Sequence, residues 1–360
     1  MNNKNYYSYK AIDRKNADFN IVFGERSNGK TYGMFQKAVE NFYKTGKQMA
    51  YIRRWQEDIT GVRASRTCEG LNANDVVKRV TRGEWEYIHY NARKWYFARK
   101  GDGDKPEICE QPFAFAFALS QMEHDKSTAF PNVNIIAFDE FITRGQYLVD
   151  EFVIFCNTIS TIIRDRDDVK IYLMGNTVNK YNPYFAEMGL SRAKTQREGT
   201  IDEYIFNGNL KIAVEYCKSI GKSKSSNRLF KFPNRKLEMI TDGKWELDIY
   251  PHLPRKYKPN EITFTFYIEF DGATLQGDIV CGNDDAFIFI FPKTTPTKEN
   301  SIIYKKDACA NWYERTNITK PRDRIDKVIA DLFVRNKVFY LNNEIGEIVR
   351  NYIMWCNGLN

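Results

Sequence analysis

Only three histidines occur in the 360 residues, too few to build a His-centred metal site or to suggest a Ser-His-Asp triad. The seven cysteines, at positions 68, 109, 156, 217, 281, 309 and 356, are odd in number, scattered and without a C-x-x-C pair. Neither a disulfide framework nor a structural zinc site is therefore expected, and a reduced compartment fits. Long apolar runs are missing too. The longest clean one, Phe113–Leu119, is far short of the ~18 residues that span a bilayer. The opening MNNKNYYSYK lacks the apolar stretch of a secretory signal. No internal repeat or long low-complexity tract is present. These absences point to a soluble intracellular chain without a membrane partner.

What is present suffices for packed cores. The chain is 42% hydrophobic with 6 Trp, 22 Tyr and 25 Phe, which excludes wholesale disorder. Its length suggests two domains, because single cores stop growing at about 250–300 residues. The net charge is +8, and nearly all of the surplus sits between residues 211 and 260, where twelve basic residues face five acids. Lys222, Lys224, Arg228, Lys231, Arg235 and Lys236 form the densest part. They are either a local field that attracts a polyphosphate backbone or the solvated lysines of a linker.

The first half alternates strand-like and helix-like segments, which predicts an α/β fold with a mostly parallel sheet and crossover helices. Strands are expected at Asp18–Phe23, Gln48–Arg53, Phe113–Leu119, Val133–Phe138 and Val169–Met174. Helices are expected at Lys30–Tyr43 and Val149–Ile163, and an antiparallel hairpin at Glu84–Ala98. After about Gly189 turn residues and charge take over, and GKSKSSN at 221–227 has linker composition. From Ile262 a three-stranded meander is expected, turning at Asp271-Gly272 and Asn283–Asp285. Helices at Asp323–Val334 and Glu344–Cys356 follow, with VFYL (338–341) as a strand between them. The division predicted is 1–190, a basic connector at 191–245, and 246–360.

One motif carries specific chemistry. Gly24, Glu25, Arg26, Ser27, Asn28, Gly29, Lys30 and Thr31 match G-x-x-x-x-G-K-[ST], after the strand NIVF and before a helix. The glycines let backbone N–H groups close around phosphates at a helix N-terminus. Lys30 is expected to reach the β- and γ-phosphates and Thr31 to ligate Mg²⁺, with Tyr32 beside them. Arg26 is either a phosphate contact or the partner of an acid. A second station follows in VNIIAFDE, an apolar strand ending in Asp139 and Glu140. Asp139 is expected to hold the metal and Glu140 to polarise the attacking water. Asn176, one strand later, is a candidate γ-phosphate sensor. Asn182 replaces the Asp of the guanine-reading N-K-x-D pattern, which favours ATP. Arg164 is the first candidate for an arginine acting on a neighbouring subunit's site and Arg166 the second; the alternative is a salt-bridge cluster with Asp165, Asp167 and Asp168. Arg53 and Arg54 either support the nucleotide pocket or pair with Glu57 and Asp58.

The order of GERSNGKTYGM, MAYIRRW, IIAFDEF and IIRDRDDVKIYLMGNTVNKYNPYF resembles phage terminase-type ATPases, most closely the phi-29-type DNA-packaging motor ATPases. The resemblance is good over about residues 1–190 and weak beyond. It implies an ASCE P-loop ATPase domain followed by an α+β RNase H-like domain without nuclease activity. It further implies a homopentameric ring at the portal of a procapsid, in the cytoplasm of an infected bacterial host. That ring translocates double-stranded DNA, in some members with a packaging RNA, and Arg164 would act in trans. The alternative is a terminase large subunit with a working Mg²⁺-dependent nuclease around Asp271, although Asn342-Asn343 stands where a second acid is expected. A nucleotide-gated binding protein with negligible hydrolysis is a third reading.

Overall fold

A computed structural model describes residues 6–101, 105–124, 129–218, 248, 250–282, 285–293, 295–297, 299–307 and 311–358. The chain divides into two compact units, Met1–Trp245 and Glu246–Asn360.

The first unit opens with α1 (Lys10–Asp13), β1 (Phe19–Gly24), α2 (Lys30–Thr45) and β2 (Gln48–Arg53). Three short helices follow, α3 (Gly61–Arg66), α4 (Glu69–Ala73) and α5 (Val76–Val80). Next come β3 (Tyr87–Asn91), β4 (Lys94–Lys100), β5 (Pro106–Ile108), β6 (Ala114–Ala118) and β7 (Val133–Asp139). The unit continues with α6 (Glu151–Ile163), β8 (Lys170–Asn176), α7 (Pro183–Glu187), β9 (Thr200–Phe206) and β10 (Leu210–Tyr216). The strands form one sheet in the order β3-β4-β6-β2-β7-β8-β1-β10-β9, with β5 on β4. Its centre is parallel, and antiparallel pairs lie toward both ends.

The central parallel strands are mostly apolar on both faces because both faces are covered. On β1, Val22 points into one core with Met34, Phe35, Ala38 and Val39 of α2. Its neighbours Ile21 and Phe23 point into the other, with Phe155, Ile159 and Ile162 of α6. The helical spacing of those α2 and α6 residues is what allows one stripe of each helix to face the sheet.

The first sheet extends past the boundary expected at residue 190. β9 and β10 form a hairpin around Asn207 (φ 46°) and Gly208 (φ 78°), and β10 lies parallel to β1. Residues 200–216 are thus sheet, not connector, because KIAVEY supplies the apolar run that β1 needs on its open side. Lys222, Lys224, Arg228, Lys231, Arg235 and Lys236 lie outside the described residues.

The second unit contains β11 (Ile262–Phe270), β12 (Ala273–Cys281), β13 (Ala286–Pro292), β14 (Ile303–Lys305), β15 (Glu314–Arg315) and β16 (Val338–Tyr340). The sheet order is β15-β14-β11-β12-β13-β16. The expected meander is β11 to β13, antiparallel throughout; β14 and β16 add in parallel at its two sides. Helices Arg324–Val334 and Asn343–Gly358 complete the unit. Arg315 is 2% exposed, and its guanidinium meets Asp326 at 3.1 Å and Asp323 at 3.1 Å. Asp326, itself buried, also accepts from Tyr304 OH at 2.6 Å. Removing Asp326 leaves the buried Arg315 with Asp323 as its one carboxylate and Tyr304 OH without this acceptor. Asp326→Ala is expected to destabilise the second unit by about 1.5–3 kcal/mol, the worth of a hydrogen bond to a charged group, read as a lower denaturant midpoint.

Candidate active site

Parallel strands converge at their C-terminal edge, where open α/β sheets bind ligands. Gly24 at the end of β1 is level with Asn176 on β8, and Asp139 at the end of β7 is level with Met174. The loop from Gly24 to Thr31, Asp139, Glu140 and Asn176 therefore meet around a single cleft. Its volume is about 630 Å³, and its walls include Arg26, Ser27, Asn28, Gly29, Lys30, Thr31, Tyr32, Asp139, Glu140 and Asn176.

The loop geometry depends on glycine. Gly29 has φ 87°, and a Cβ there would lie 2.6 Å from Cδ1 of Tyr6. Tyr6 stacks on Tyr32 with centroids 4.0 Å apart. The N-terminal segment braces the loop further: Tyr7 N donates to Asn28 O at 2.9 Å, and Tyr9 OH to Lys30 O at 3.0 Å. Lys30 is 6% exposed, and its Nζ donates to Glu25 O at 2.8 Å and to Asn28 Oδ1 at 3.1 Å. Burial lowers its pKa below the usual lysine value, partly offset by Asp139 and Glu25. A cation desolvated at the mouth of a backbone cradle is poised for an anion.

The two motifs touch. Thr31 Oγ1 donates to Asp139 Oδ2 at 2.6 Å, and Tyr51 OH donates to the same oxygen at 2.8 Å. Burial first, then the adjoining Asp139 carboxylate, pushes the Tyr51 hydroxyl well above its ordinary pKa, so it stays a donor. A hydroxyl and a carboxylate oxygen at this spacing suit a small hard cation that takes few protein ligands and keeps several waters.

Glu140 lies in the left-handed region, at φ 59°. For a non-glycine residue this costs about 1–3 kcal/mol and persists only where the surroundings enforce it. Its N–H donates to Asp139 Oδ1 at 2.9 Å, and its carboxylate accepts from Arg53 at 2.7 Å. Arg53 also reaches Asp58 at 3.2 Å. Burial opposes its charge, but Tyr51, Asp139 and Glu140 outweigh that and hold its pKa above the ordinary arginine value. The partner expected for Arg53 thus includes Asp58, whereas Arg54 pairs with Glu151 and not with Glu57.

The two trans-arginine candidates separate clearly. Arg166 directs its guanidinium to the carbonyls of Val133 (2.6 Å), Phe130 (3.1 Å), Ile162 (3.1 Å) and Ile163 (3.2 Å), and so ties the end of α6 to the start of β7. Arg164 follows α6 directly, is exposed, and does not line the cleft of its own chain. Asn182 caps α7 by accepting from Phe185 N at 3.0 Å, a local role that accounts for asparagine there. Tyr51 and Glu151 are not singled out by the sequence, and Arg54 is, but with a different partner. A tyrosine in an otherwise aliphatic buried strand, and an acid opening an apolar helix, were the signals available.

The sequence matches, over residues 1–355, the family described as podovirus DNA encapsidation protein (Gp16). The DNA packaging protein of Bacillus phage PZA is 26% identical over 282 residues, covering 76% of each chain. That of Bacillus phage phi29 is 26% identical over 284 residues, again covering 76% of each. Among solved structures, the phi-28 gp11 DNA packaging motor aligns with a TM-score of 0.57 at 18% identity, over 98% of this chain and 97% of that one. The phi-29 viral genome packaging motor assembly gives 0.57 at 21% identity, over 96% and 97%. The last two are likenesses of fold.

Proposed function

The chain belongs to the podovirus DNA encapsidation protein (Gp16) family, and from that membership we propose that it is an ATP-driven motor that moves double-stranded DNA into a procapsid. The observation that carries this reading is the 2.6 Å contact between Thr31 and Asp139, which joins the phosphate loop to the acid pair at one cleft. The position of β8 between β1 and β7 supports an ASCE ATPase.

In this reading Lys30 leaves Glu25 O and Asn28 for the β/γ-phosphates, while Thr31 and Asp139 hold Mg²⁺. When bound, the ion neutralises charge on the phosphate oxygens. Glu140, once released by Arg53, accepts a proton from the attacking water, and Asn176 contacts the γ-phosphate. The exposed Arg164 would complete the site of the next subunit in a homopentameric ring at the portal, in the host cytoplasm. The basic residues 222–236 and, where one exists, a packaging RNA are the proposed nucleic-acid contacts.

For the second unit, an antiparallel meander extended by parallel strands on the side of its first strand supports the RNase H-like reading. The working-nuclease alternative has less to stand on. Asp271 sits in the β11–β12 turn at φ 54°, and the described residues hold no group of three His, Cys, Asp or Glu suited to a metal.

The test is ATP turnover by the purified chain with and without double-stranded DNA and procapsids. Turnover should rise with both and disappear in Lys30→Ala, because the P-loop lysine is the main cation on the β/γ-phosphates. A chain that neither binds nor hydrolyses ATP under any of these conditions would refute the proposal.

A further inference from the structure

Arg54 and Glu151 are 5% and 2% exposed, yet neither lines the nucleotide cleft. A buried ion pair is weak evidence of a stabilising role, because desolvation consumes most of what the pairing gains. The geometry gives it another use. Arg54 holds Glu151 with two bonds, Nε to Oε2 at 2.6 Å and NH2 to Oε1 at 2.8 Å. Its remaining donors go to backbone: NH2 to Phe141 O at 2.9 Å and NH1 to Glu140 O at 3.2 Å. Glu151 is fixed in turn by Tyr184 OH at 2.8 Å and Leu148 N at 2.9 Å. The ring of Tyr147 lies 4.8 Å from the guanidinium carbon.

We infer that Arg54, anchored by Glu151, is a positioning residue for hydrolysis: it clamps the carbonyls of Glu140 and Phe141 and so maintains the left-handed backbone from which the Glu140 carboxylate faces the cleft. The inference rests on the reading of Glu140 as the base. Without the clamp the 139–141 turn relaxes toward ordinary dihedrals, and the carboxylate leaves its place while the phosphate loop stays formed. Lysine cannot substitute, since a single ammonium cannot hold a carboxylate and two carbonyls in a planar fork. The same pair ties the first residue of α6 to the catalytic turn, so the helix that ends next to Arg164 shares its anchor with Glu140.

The experiment compares steady-state ATP turnover and fluorescent ATP-analogue affinity in full-length Arg54→Lys, Glu140→Gln and the combination of the two. Because breaking a buried pair can unfold a chain, a second variant replaces both partners with apolar residues, Arg54→Met with Glu151→Leu, which keeps the site filled without stranding a charge. Misplacement of a reacting group by about 1 Å costs up to about 10²-fold. Arg54→Lys and the folded double apolar variant should therefore lose about 10–10²-fold in kcat, with analogue affinity changed by no more than about twofold. Arg54→Lys combined with Glu140→Gln should be no slower than Glu140→Gln alone, because a residue acting through Glu140 has nothing left to position. Wild-type kcat in the double apolar variant, or losses that multiply in the combination, would overturn the positioning role and leave Glu140 as the base. Full turnover in Glu140→Gln itself would remove the base and the positioning role together.

Discussion

Glu140→Gln is expected to lower ATP turnover by about 10²–10⁴-fold, the usual contribution of a general base, while ATP still binds. The change is nearly isosteric. Glutamine retains an oxygen that can accept from Arg53, which now meets the carboxylate at 2.7 Å, and it leaves the Thr31–Asp139 contact untouched. The loss should therefore fall on kcat, with the affinity for a fluorescent ATP analogue preserved. The side chain of Glu140 is 55% exposed, so burial is not what prepares it as a base. In the proposed role it is placement that would prepare it, through the positive φ and the bond from its N–H to Asp139 Oδ1. A variant that hydrolyses ATP within about threefold of wild type would assign proton abstraction to another group, since that is less than a tenth of the effect expected of a base.

The same placement explains what could be read from sequence. β1, β2, β7 and β8 were legible to within a residue or two because parallel strands covered on both faces are continuous apolar runs. The G-x-x-x-x-G-K-T spacing and the DE pair were legible because each is a local motif at a strand end, and the sheet brings the two to one cleft. α3 to α5 were not legible. Each is five or six residues long, too short to show a period of 3.6, and their burial depends on packing against α2 and β3. The β9–β10 hairpin did leave a signal, the Asn207-Gly208 pair between apolar runs. The turn residues and charge that follow Gly189 mask it, which is why residues 200–216 resemble a connector in sequence. The Arg54–Glu151 pair could not be read at all, since its partners are 97 positions apart and only the sheet order brings them together. Arg164 and Arg166 are equivalent in sequence, two arginines around one aspartate. Two of the four carbonyls that occupy Arg166 come from another strand and loop, 33 and 36 residues away.

Arg164→Ala is expected to reduce ring-dependent turnover by about 10³–10⁵-fold, the contribution of an arginine finger supplied in trans. Arg164 lies just beyond α6, outside the cleft of its own chain. Under the proposed ring, a charge so placed would neutralise phosphoryl transfer in a neighbour. This predicts complementation. An Arg164→Ala subunit keeps Glu140 and an intact cleft, whereas a Glu140→Gln subunit keeps Arg164. Each is inactive alone, but when the two are mixed before assembly, interfaces arise in which the first supplies the cleft and the second the arginine. Turnover of the mixture should then exceed that of either variant, peaking near equal proportions. If Arg164 instead acted within its own chain, every subunit in the mixture would lack one essential group and no ratio would recover activity. Arg166→Ala should behave differently: loss of its bonds to Val133, Phe130 and the end of α6 should lower stability, and mixing should rescue nothing beyond the activity of intact subunits.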